Sequence, residues 1–529
     1  MDIKEQIFNG KVSIGIEFGS TRIKAVLTGQ ELNAAAVGTY DWENKLENGI
    51  WTYSQDDIIN GLKGVYASLR EDVERQYGVK LDKVASIGIS AMMHGYLAFD
   101  ENDNLLVPFR TWRNTMTAEA ADELTEVLGF NIPQRWSIAH LWQAILNKEP
   151  HVPKIRFFTT LAGYVHMLLT GQNVLGIGDA SGMFPIGADK VNYDKAMIAK
   201  FDELSAKHGF TQKLGDILPH IIPVGDCAGQ LTNEGALLLD PTGTLKSGIP
   251  FCPPEGDAGT GMVATNSIRP RTGNVSAGTS IFAMAVLEKP LSAVYRQIDI
   301  VTTPCGDSVA MVHCNNCTTD LDAWVKMIGG TLEYFGVKIP KPELYDKLYE
   351  SALSGDPDCG GLFSCNYFSG EHVTGLTQGR PLLVRTPEAS FNISNLMRTL
   401  IFSCISTLRS GMSILTEKEA VGLDRLTAHG GLFKTPEIGQ SILAAALNVP
   451  TTVMESAGEG GAWGIAILAA YMVQKDRREQ LSDFLGDRVF AKTRSVTIKP
   501  DKKDIDGFAK YMDSFAGLLE VEKTAVNSI

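Results

Sequence analysis

The stretch Val12-Ser-Ile-Gly-Ile-Glu17-Phe-Gly19-Ser20-Thr21-Arg-Ile-Lys-Ala-Val-Leu27 decides the fold, because it is the first of two similar hairpins. Apolar and β-branched residues flank a Gly-Ser-Thr tip, which predicts a strand, a tight turn and a second strand. The second copy is Gly273-Asn-Val-Ser276-Ala-Gly278-Thr279-Ser280-Ile-Phe-Ala-Met-Ala-Val-Leu287. Superposing the apolar runs places Gly278 on Gly19, Thr279 on Ser20 and Ser280 on Thr21. A repeat half a chain apart predicts two domains of similar fold with a cleft between them.

The residue types at both tips suit an anion. Glycine and small hydroxyl residues let backbone N–H and side-chain O–H groups approach a phosphate closely. A single Gly-Ser-Thr tip is equally typical of an ordinary β-turn. The repetition favours the other interpretation, in which the two tips grip one phosphate chain from two domains.

Composition places the chain among ordinary globular proteins. It has 529 residues, of which 44% are hydrophobic and 21% charged, so two or more domains with large cores are expected. The net charge of −13 is spread along the chain, which argues against nucleic acid or an anionic membrane as a partner. The N-terminus lacks a basic segment followed by an apolar run, and no apolar stretch approaches the roughly 20 residues of a membrane span. A cytoplasmic protein is therefore expected.

Eight scattered cysteines are typical of reduced thiols rather than of a disulfide framework. His313, Cys314 and Cys317 have a spacing seen in metal sites, but no second pair of ligands lies near them in the sequence. We therefore expect these residues to be structural.

Strand and helix patterns alternate along the chain, which indicates an α/β fold. Val84–Ala91 is a nearly continuous apolar strand of the buried kind, and helices are predicted over Ala118–Leu128 and Leu141–Asn147. In the second half, a long helix over Leu396–Leu415 precedes a strand that enters the glycine turn Gly430-Gly431. A joint near Arg269 divides the chain into domains 1–270 and 271–529.

Two acidic residues stand beside the phosphate tips. Glu17 precedes Gly19 by two residues, so its carboxylate can reach a magnesium ion on the phosphates, unless it is only a solvent-facing strand residue. Asp257 lies in the glycine-rich stretch Glu255–Gly261, just before the second hairpin. A carboxylate there can take the proton of an attacking hydroxyl, although an Asx-turn or a helix cap has the same pattern.

Other segments could bind the rest of a substrate. Met93 and His94 follow the buried strand that ends at Ala91, and ligands bind at such strand ends, although a core or turn histidine is an alternative. Trp112 and Arg113 offer flat surfaces and planar donors that suit a polyol, or a surface turn. The glycine turns Gly430-Gly431 and 458–461 would let a purine lie against backbone, or would only start and stop helices.

Seven short motifs occur together in the order seen in FGGY carbohydrate kinases, which the chain resembles over essentially its whole length. These motifs are Glu17-Phe-Gly-Ser-Thr, Met93-His94-Gly95, Gly178-Asp179-Ala180-Ser181-Gly182, Gly256-Asp257, Ser276-Ala-Gly-Thr-Ser280, Gly361-Leu-Phe-Ser-Cys-Asn-Tyr-Phe-Ser-Gly370-Glu371 and His429-Gly430-Gly431. Met93-His94-Gly95 is most similar to the sugar-contacting segment of the xylulokinases in this family.

The resemblance implies two actin-like, ribonuclease H-like ATPase domains, with sugar bound by domain 1–270 and ATP by domain 271–529. It also implies that Asp257 would be the base, that Gly278 and Thr279 would contact phosphates, and that Gly430 and Gly431 would contact adenosine. The residue chemistry adds the remaining expectations: Glu17 and Asp257 face Mg²⁺; Met93, His94, Trp112, Arg113 and Asp257 line the sugar site; Gly19, Ser20, Thr21 and Ser280 also contact phosphates.

Several departures from the family pattern fall near the sugar and the metal. The family usually has aspartate where Glu17 stands, xylulokinases usually carry an aspartate within the stretch 112–114, and a polar residue usually takes the place of Ala258. We expect ATP-dependent phosphorylation of a terminal hydroxyl of a pentulose, converting D-xylulose to D-xylulose 5-phosphate. L-ribulose, another polyol, a heptulose or a sugar acid remain alternatives, as does an actin-like ATPase without kinase activity. A homodimer is possible on this sequence.

Overall fold

The computed structural model describes residues 1–455 and 460–529. These residues form two compact units. The first comprises Met1–Ile268, Ile300–Ser308 and Gly458–Thr493, and the second comprises Arg269–Asp299, Val309–Ala457 and Arg494–Ile529. The chain therefore returns twice to the first unit after Ile268. The assignment of 1–270 to sugar and 271–529 to ATP stays a prediction.

The first unit is built on a five-stranded sheet. Its strands are β1 (Ser13–Phe18), β2 (Arg22–Thr28), β3 (Ala34–Asp41), β4 (Ser86–Ala91) and β5 (Glu255–Gly256). They lie in the order β5-β4-β1-β2-β3. β1 pairs antiparallel with β2, and β2 with β3, whereas β4 runs parallel to β1 and β5 parallel to β4. The predicted hairpin at 12–27 is confirmed.

The sheet of the second unit repeats this arrangement. Six of its strands are β6 (Thr272–Ala277), β7 (Ile281–Val286), β8 (Ser308–Cys314), β9 (Arg425–Gly430), β10 (Thr451–Met454) and β11 (Ser495–Ile498). They lie in the order β8-β7-β6-β9-β10-β11. The hairpin β6-β7 and its antiparallel neighbour β8 match β1, β2 and β3, and the parallel strands β9 and β10 match β4 and β5. The predicted α/β fold with two like halves is confirmed.

Helices and short strands complete each unit. In the first unit the helices are Ile3–Phe8, Gln55–Tyr77, Ala118–Leu128, Ser137–Leu146, Val152–Lys154, Leu161–Thr170, Ile177–Ser181, Lys195–Lys207, Leu214–Ile217, Asn233–Leu239, Asp257–Ala264, Gly460–Gln474, Leu481–Phe484 and Leu485–Val489. Its further strands are Lys45–Glu47, Ile50–Thr52, Leu97–Phe99, Phe157–Thr159, Val174–Gly176 and His220–Ile222. In the second unit the helices are Thr318–Tyr334, Lys341–Ala352, Cys359–Gly361, Ile393–Ser413, Ile414–Lys418, Gly431–Phe433, Ile438–Leu447 and Lys502–Ser528. The strands Leu362–Cys365 and Leu382–Arg385 pair with each other there, and Asp299–Thr302 spans the change from the second unit to the first.

Glycines explain why the helix Gly460–Gln474 packs in the first unit. A Cβ at Gly15 of β1 would lie 2.2 Å from the carbonyl oxygen of Ala462, and one at Gly88 of β4 would lie 2.9 Å from that of Ile465. A Cβ at Gly464 would lie 2.0 Å from the carbonyl oxygen of Thr260. The helix therefore approaches the sheet and the helix Asp257–Ala264 at backbone distance, which no larger residue would permit.

One helix of the second unit, Ile393–Lys418, is long and apolar enough to cross a membrane by length and composition alone. The sequence predicted this helix over Leu396–Leu415 but no apolar stretch of membrane-span length, because serines, threonines and two arginines interrupt its apolar residues. In the structure, 78% of its most apolar window is buried, as in the core helix of a globular domain.

Candidate active site

Three parallel strands of the first unit end side by side. In the β1–β4 register Phe18 pairs with Ala91, and in the β4–β5 register Ala91 pairs with Gly256. Glu17, Met93 and Asp257 therefore lie together at the carboxyl ends of these parallel strands, although they are far apart in the sequence. The structure thus brings together the predicted base, a predicted metal contact and the predicted sugar segment.

Asp257 is the first residue of the helix Asp257–Ala264, so the glycine-rich stretch is a strand end followed by a helix. The helix cap is Gly256, which rules out the alternative that Asp257 is the cap. Its Oδ1 accepts a hydrogen bond from the Met93 N–H at 3.3 Å. Part of the residue reaches solvent, but burial of its carboxyl among the surrounding residues raises the pKa to about 6, against the backbone N–H groups and the charge of Arg135. A carboxylate with such a pKa suits proton transfer near neutral pH.

Glu17 faces Asp257 from the end of β1. Burial, and then the charge of Asp257, raise the pKa of Glu17 to about 7. Its Oε2 accepts a hydrogen bond of 3.0 Å from the N–H of Ala462, in the first turn of the helix Gly460–Gln474. Two carboxylates that repel each other are hard oxygen ligands of the kind that a small divalent cation prefers.

Two more buried acids lie behind Asp257, and sequence reasoning had assigned no role to either. Glu255 Oε2 accepts a hydrogen bond of 2.9 Å from the Asp179 N–H, and Asp179 Oδ2 accepts one of 2.6 Å from the Thr160 hydroxyl. Burial, followed by the charge of Asp179, raises the pKa of Glu255 to about 8, and burial raises that of Asp179 to about 7. The signal available in the sequence was the motif Gly178-Asp179, whose glycine leaves room for Glu255: a Cβ at Gly178 would lie 2.4 Å from Glu255 Oε2.

His94 adopts a left-handed backbone conformation, with φ of 69°, and is buried beside Met93. Its Nδ1 lies 3.0 Å from the carbonyl oxygen of Gly182, and its ring stacks on that of Trp136. A carbonyl only accepts, so Nδ1 carries a proton and donates it to Gly182. Strained backbone of this kind is typical of ligand sites.

Trp112 and Arg113 are both exposed. The guanidinium of Arg113 stacks 3.9 Å over the ring of Trp51, and Asn114 exchanges hydrogen bonds with the Trp51 backbone. The stretch 111–114 is thus tied to the strand Ile50–Thr52. A contact of Trp112 or Arg113 with sugar stays a prediction.

The first phosphate tip is held by its carbonyl groups. The indole N–H of Trp42 donates to the Gly19 carbonyl at 2.7 Å, the Tyr53 hydroxyl donates to that of Ser20 at 2.6 Å, and the Trp42 N–H donates to that of Thr21 at 3.2 Å. The two aromatic rings stack on each other with centroids 3.9 Å apart. The Gly19 N–H closes the turn by donating to the Arg22 carbonyl at 3.1 Å, so the tip is held in one conformation. Sequence analysis had not identified this aromatic pair.

The second tip is held in the same way within the second unit. The N–H and the hydroxyl of Thr318 donate to the Gly278 carbonyl at 3.1 and 3.0 Å, and the Cys317 N–H donates to that of Thr279 at 2.9 Å. A Cβ at Gly278 would meet nothing within 4 Å, so the space over this residue is open to a ligand. The two loops differ by one residue, because Phe18 pairs with Ile23 but Ala277 pairs with Ile281. Ser280 therefore matches Thr21 only when counted from the first strand.

Gly430 lies next to this second tip, since it pairs with Ala277 in the β6–β9 register. Its φ is 105°, and a Cβ there would lie 2.3 Å from the Ala277 carbonyl oxygen, so only glycine fits. Gly431 follows and is exposed. The other proposed purine turn, 458–461, begins outside the described residues.

No group of three or more histidine, cysteine or acidic side chains placed to hold a metal ion is found in 1–455 and 460–529. All eight cysteines are free thiols, and Cys314 and Cys317 are buried.

Comparisons with known proteins agree with this architecture. The N-terminal domain of the FGGY family of carbohydrate kinases matches residues 12–263, and the C-terminal domain of that family matches residues 273–473. The chain is 22% identical to a xylulose kinase of Haemophilus influenzae, over 76% of this chain and 80% of that protein. It is 23% identical to a gluconokinase of Bacillus licheniformis, over 89% of this chain and 90% of that protein.

A solved structure of a xylulose kinase from Lactobacillus acidophilus superimposes with a TM-score of 0.77 at 16% identity, covering 96% of this chain and 98% of that one. At that identity the likeness shows the fold alone. The two domain matches, taken in order, span most of the sequence and include both phosphate tips. The chain therefore belongs to the FGGY family of carbohydrate kinases, enzymes that use ATP as the phosphate donor.

Proposed function

We propose that the protein transfers the γ-phosphoryl group of ATP to a terminal hydroxyl of a pentulose, converting D-xylulose to D-xylulose 5-phosphate. The observation that carries this proposal is the meeting of Glu17, Met93 and Asp257 at one sheet edge. An acceptor hydroxyl placed there lies beside a carboxylate whose pKa of about 6 leaves it ionised at neutral pH.

Asp257 would accept the proton of the sugar hydroxyl as its oxygen attacks the phosphorus. Phosphoryl transfer needs mostly positioning and charge neutralisation. Positioning would come from the tip Gly19–Thr21, whose carbonyls are anchored by Trp42 and Tyr53. The tip Gly278–Ser280, with Gly430 and Gly431 beside it, would hold the phosphates and the adenosine.

Glu17 and Asp257 are the residues that would hold Mg²⁺. Their mutual repulsion, seen in the raised pKa of Glu17, is what a dication offsets. When bound, Mg²⁺ neutralises charge on the phosphates of ATP.

The free thiols suit the reducing cytoplasm that the cysteine pattern predicts.

His94 would select the sugar. The Gly182 carbonyl and the Trp136 ring hold the His94 imidazole in place, and the ring would hydrogen-bond a sugar hydroxyl. The name xylulose kinase, carried by a relative that matches most of the chain, supports a pentulose. Gluconate is the second candidate, because a gluconokinase matches 89% of the chain at similar identity.

The decisive experiment measures ADP release with D-xylulose, D-ribulose, L-ribulose, sedoheptulose, glycerol and gluconate. We expect a pentulose to have the highest kcat/KM by at least about tenfold, the value of one well-placed hydrogen bond. His94→Ala should raise KM for that sugar and leave KM for ATP unchanged, and His220→Ala, at an exposed strand of the same unit, should change neither. A preference for gluconate or glycerol would replace the pentulose assignment. Equal effects of both histidine variants would remove His94 from the site.

A further inference from the structure

The second phosphate tip rests on one short turn. Asn315–Thr318 joins β8 to the helix Thr318–Tyr334, and its last two residues donate three hydrogen bonds to the carbonyls of Gly278 and Thr279. Any group that fixes this turn therefore fixes the tip as well.

Glu371 is the group that fixes the start of the turn. Its Oε2 accepts hydrogen bonds from the Asn315 N–H at 2.8 Å, the Asn316 N–H at 3.3 Å and the Asn316 side-chain amide at 3.2 Å. The residue is completely buried. Asn316 in turn accepts from the N–H groups of Phe368 and Ser369, and Asn366 donates to the Cys317 carbonyl at 2.7 Å. The segment 366–371 is thus joined by hydrogen bonds to the turn Asn315–Thr318.

We propose that Glu371 is a positioning residue for the nucleotide, acting through the turn Asn315–Thr318 on the phosphate tip Gly278–Ser280. Its hydrogen bonds go to Asn315 and Asn316, so its effect on the tip is indirect. This inference rests on the proposed function, in which that tip binds the phosphates of ATP.

The charge of Glu371 gives the proposal a measurable signature. Burial raises the pKa of Glu371 to about 7, against the hydrogen bonds from Asn316 and Asn315. The other groups that face it are His372, whose Nδ1 lies 3.6 Å from Oε1, and Cys314, Cys365 and Tyr367. Burial raises the pKa of both thiols and of the phenol, so these three stay neutral up to pH 8. Glu371 therefore gains its charge, and accepts its hydrogen bonds more strongly, as pH rises through 7.

The test measures binding of Mg-ADP to the full chain by titration calorimetry. Glu371→Ala should raise the Kd about tenfold at pH 8, whereas Glu371→Gln, which keeps an acceptor oxygen, should raise it about threefold. At pH 6, where wild-type Glu371 is protonated, the wild type and Glu371→Gln should bind equally. Comparing them at each pH cancels the titration of ADP itself, whose phosphate has a pKa near 6. Repeating the comparison in a His372→Gln background separates the contribution of that ring.

Glu419 provides a matched control in the same unit. It is also buried, and it accepts three hydrogen bonds, from the N–H and hydroxyl of Ser292 and from the Tyr295 hydroxyl. Glu419→Ala should lower the melting temperature as Glu371→Ala does, but leave the Kd for Mg-ADP unchanged. Equal Kd values for the two alanine variants, or a ratio of Glu371→Gln to wild type that does not change between pH 6 and 8, would overturn the proposal.

Gly278→Ala separates this inference from the function on which it rests. Its methyl group would enter the open space above the tip, so it should weaken Mg-ADP without changing stability. If Gly278→Ala weakens Mg-ADP and Glu371→Ala does not, only the role of Glu371 fails. If Gly278→Ala has no effect, the tip is not a phosphate site and both fail.

Discussion

Replacing Asp257 by asparagine tests the centre of the proposed chemistry. Asparagine keeps the shape of the side chain and its contact with the Met93 N–H, but an amide cannot accept the proton of the sugar hydroxyl. With a pKa of about 6, Asp257 is almost fully ionised at pH 7.5, so the wild type has its full base strength there. The loss in kcat should therefore be on the order of 10² to 10⁴, the usual contribution of a general base. KM for sugar and for ATP should change little.

The pH dependence of wild-type kcat is a second test of the role of Asp257. Below its pKa the fraction of ionised Asp257 falls about tenfold per unit, to roughly a tenth at pH 5, and wild-type kcat should follow it. Glu17, whose pKa is raised to about 7, adds a second protonation wherever magnesium does not keep it ionised. The residual kcat of Asp257→Asn should not show the decrease below pH 6 that the wild type shows.

The assay couples ADP release to a spectroscopic readout, with unfolding of each variant measured in parallel. Asp240→Asn is the matched control, because Asp240 is a buried aspartate of the same unit that accepts hydrogen bonds from Thr242, Thr244 and Leu245. Asp240→Asn should lower the free energy of unfolding and leave kcat unchanged. If the kcat of Asp257→Asn is within about tenfold of the wild-type value, or still decreases below pH 6, Asp257 is not the base.

Glu17, Gly430 and Glu255 each give a further testable prediction. Glu17→Gln should raise the Mg²⁺ concentration for half-maximal activity about tenfold and leave KM for sugar unchanged, since it removes one charged ligand; an unchanged Mg²⁺ dependence would place the metal elsewhere. Gly430→Ala should lower the free energy of unfolding by roughly 1–3 kcal/mol, because φ is 105° and the methyl group would meet the Ala277 carbonyl, whereas Gly431→Ala has room and should cost little; equal denaturation midpoints would contradict this. Glu255 binds a proton in the folded state up to pH about 8, whereas the unfolded chain loses it near pH 4.5, so stability should fall as pH rises from 4.5 towards 8 and level off above it, with a fall of about 1 kcal/mol between pH 7 and 8.5. Glu255→Gln should remove that part of the slope, and a slope identical to that of the wild type would show that Glu255 is ionised throughout.

Local patterns predicted the elements well where they carried their own signal. The helix Ala118–Leu128 begins and ends as predicted, because its apolar spacing is regular and Gly129 stops it in a left-handed conformation. The helix predicted over Leu141–Asn147 is instead Ser137–Leu146, since nothing in the sequence before Leu141 marks its start and its side chains are buried on every face. Asp257 was expected in a turn and lies on a helix, because the glycines at 259 and 261 hid the helical pattern.

Two similar short tips and a fixed order of motifs were enough to indicate the family, the repeated α/β fold and the residues that deserve testing. These features are local, so they can be recognised without knowing how the chain folds. Only the tertiary structure decided which of them meet. Strand register placed Met93 and Asp257 beside Glu17, and close packing of glycines brought the helix Gly460–Gln474 back to the first unit, where Ala462 binds Glu17. The pKa values of Glu17, Glu255 and Glu371 likewise depend on burial among residues that are remote in the sequence, and burial is a property of the folded chain alone.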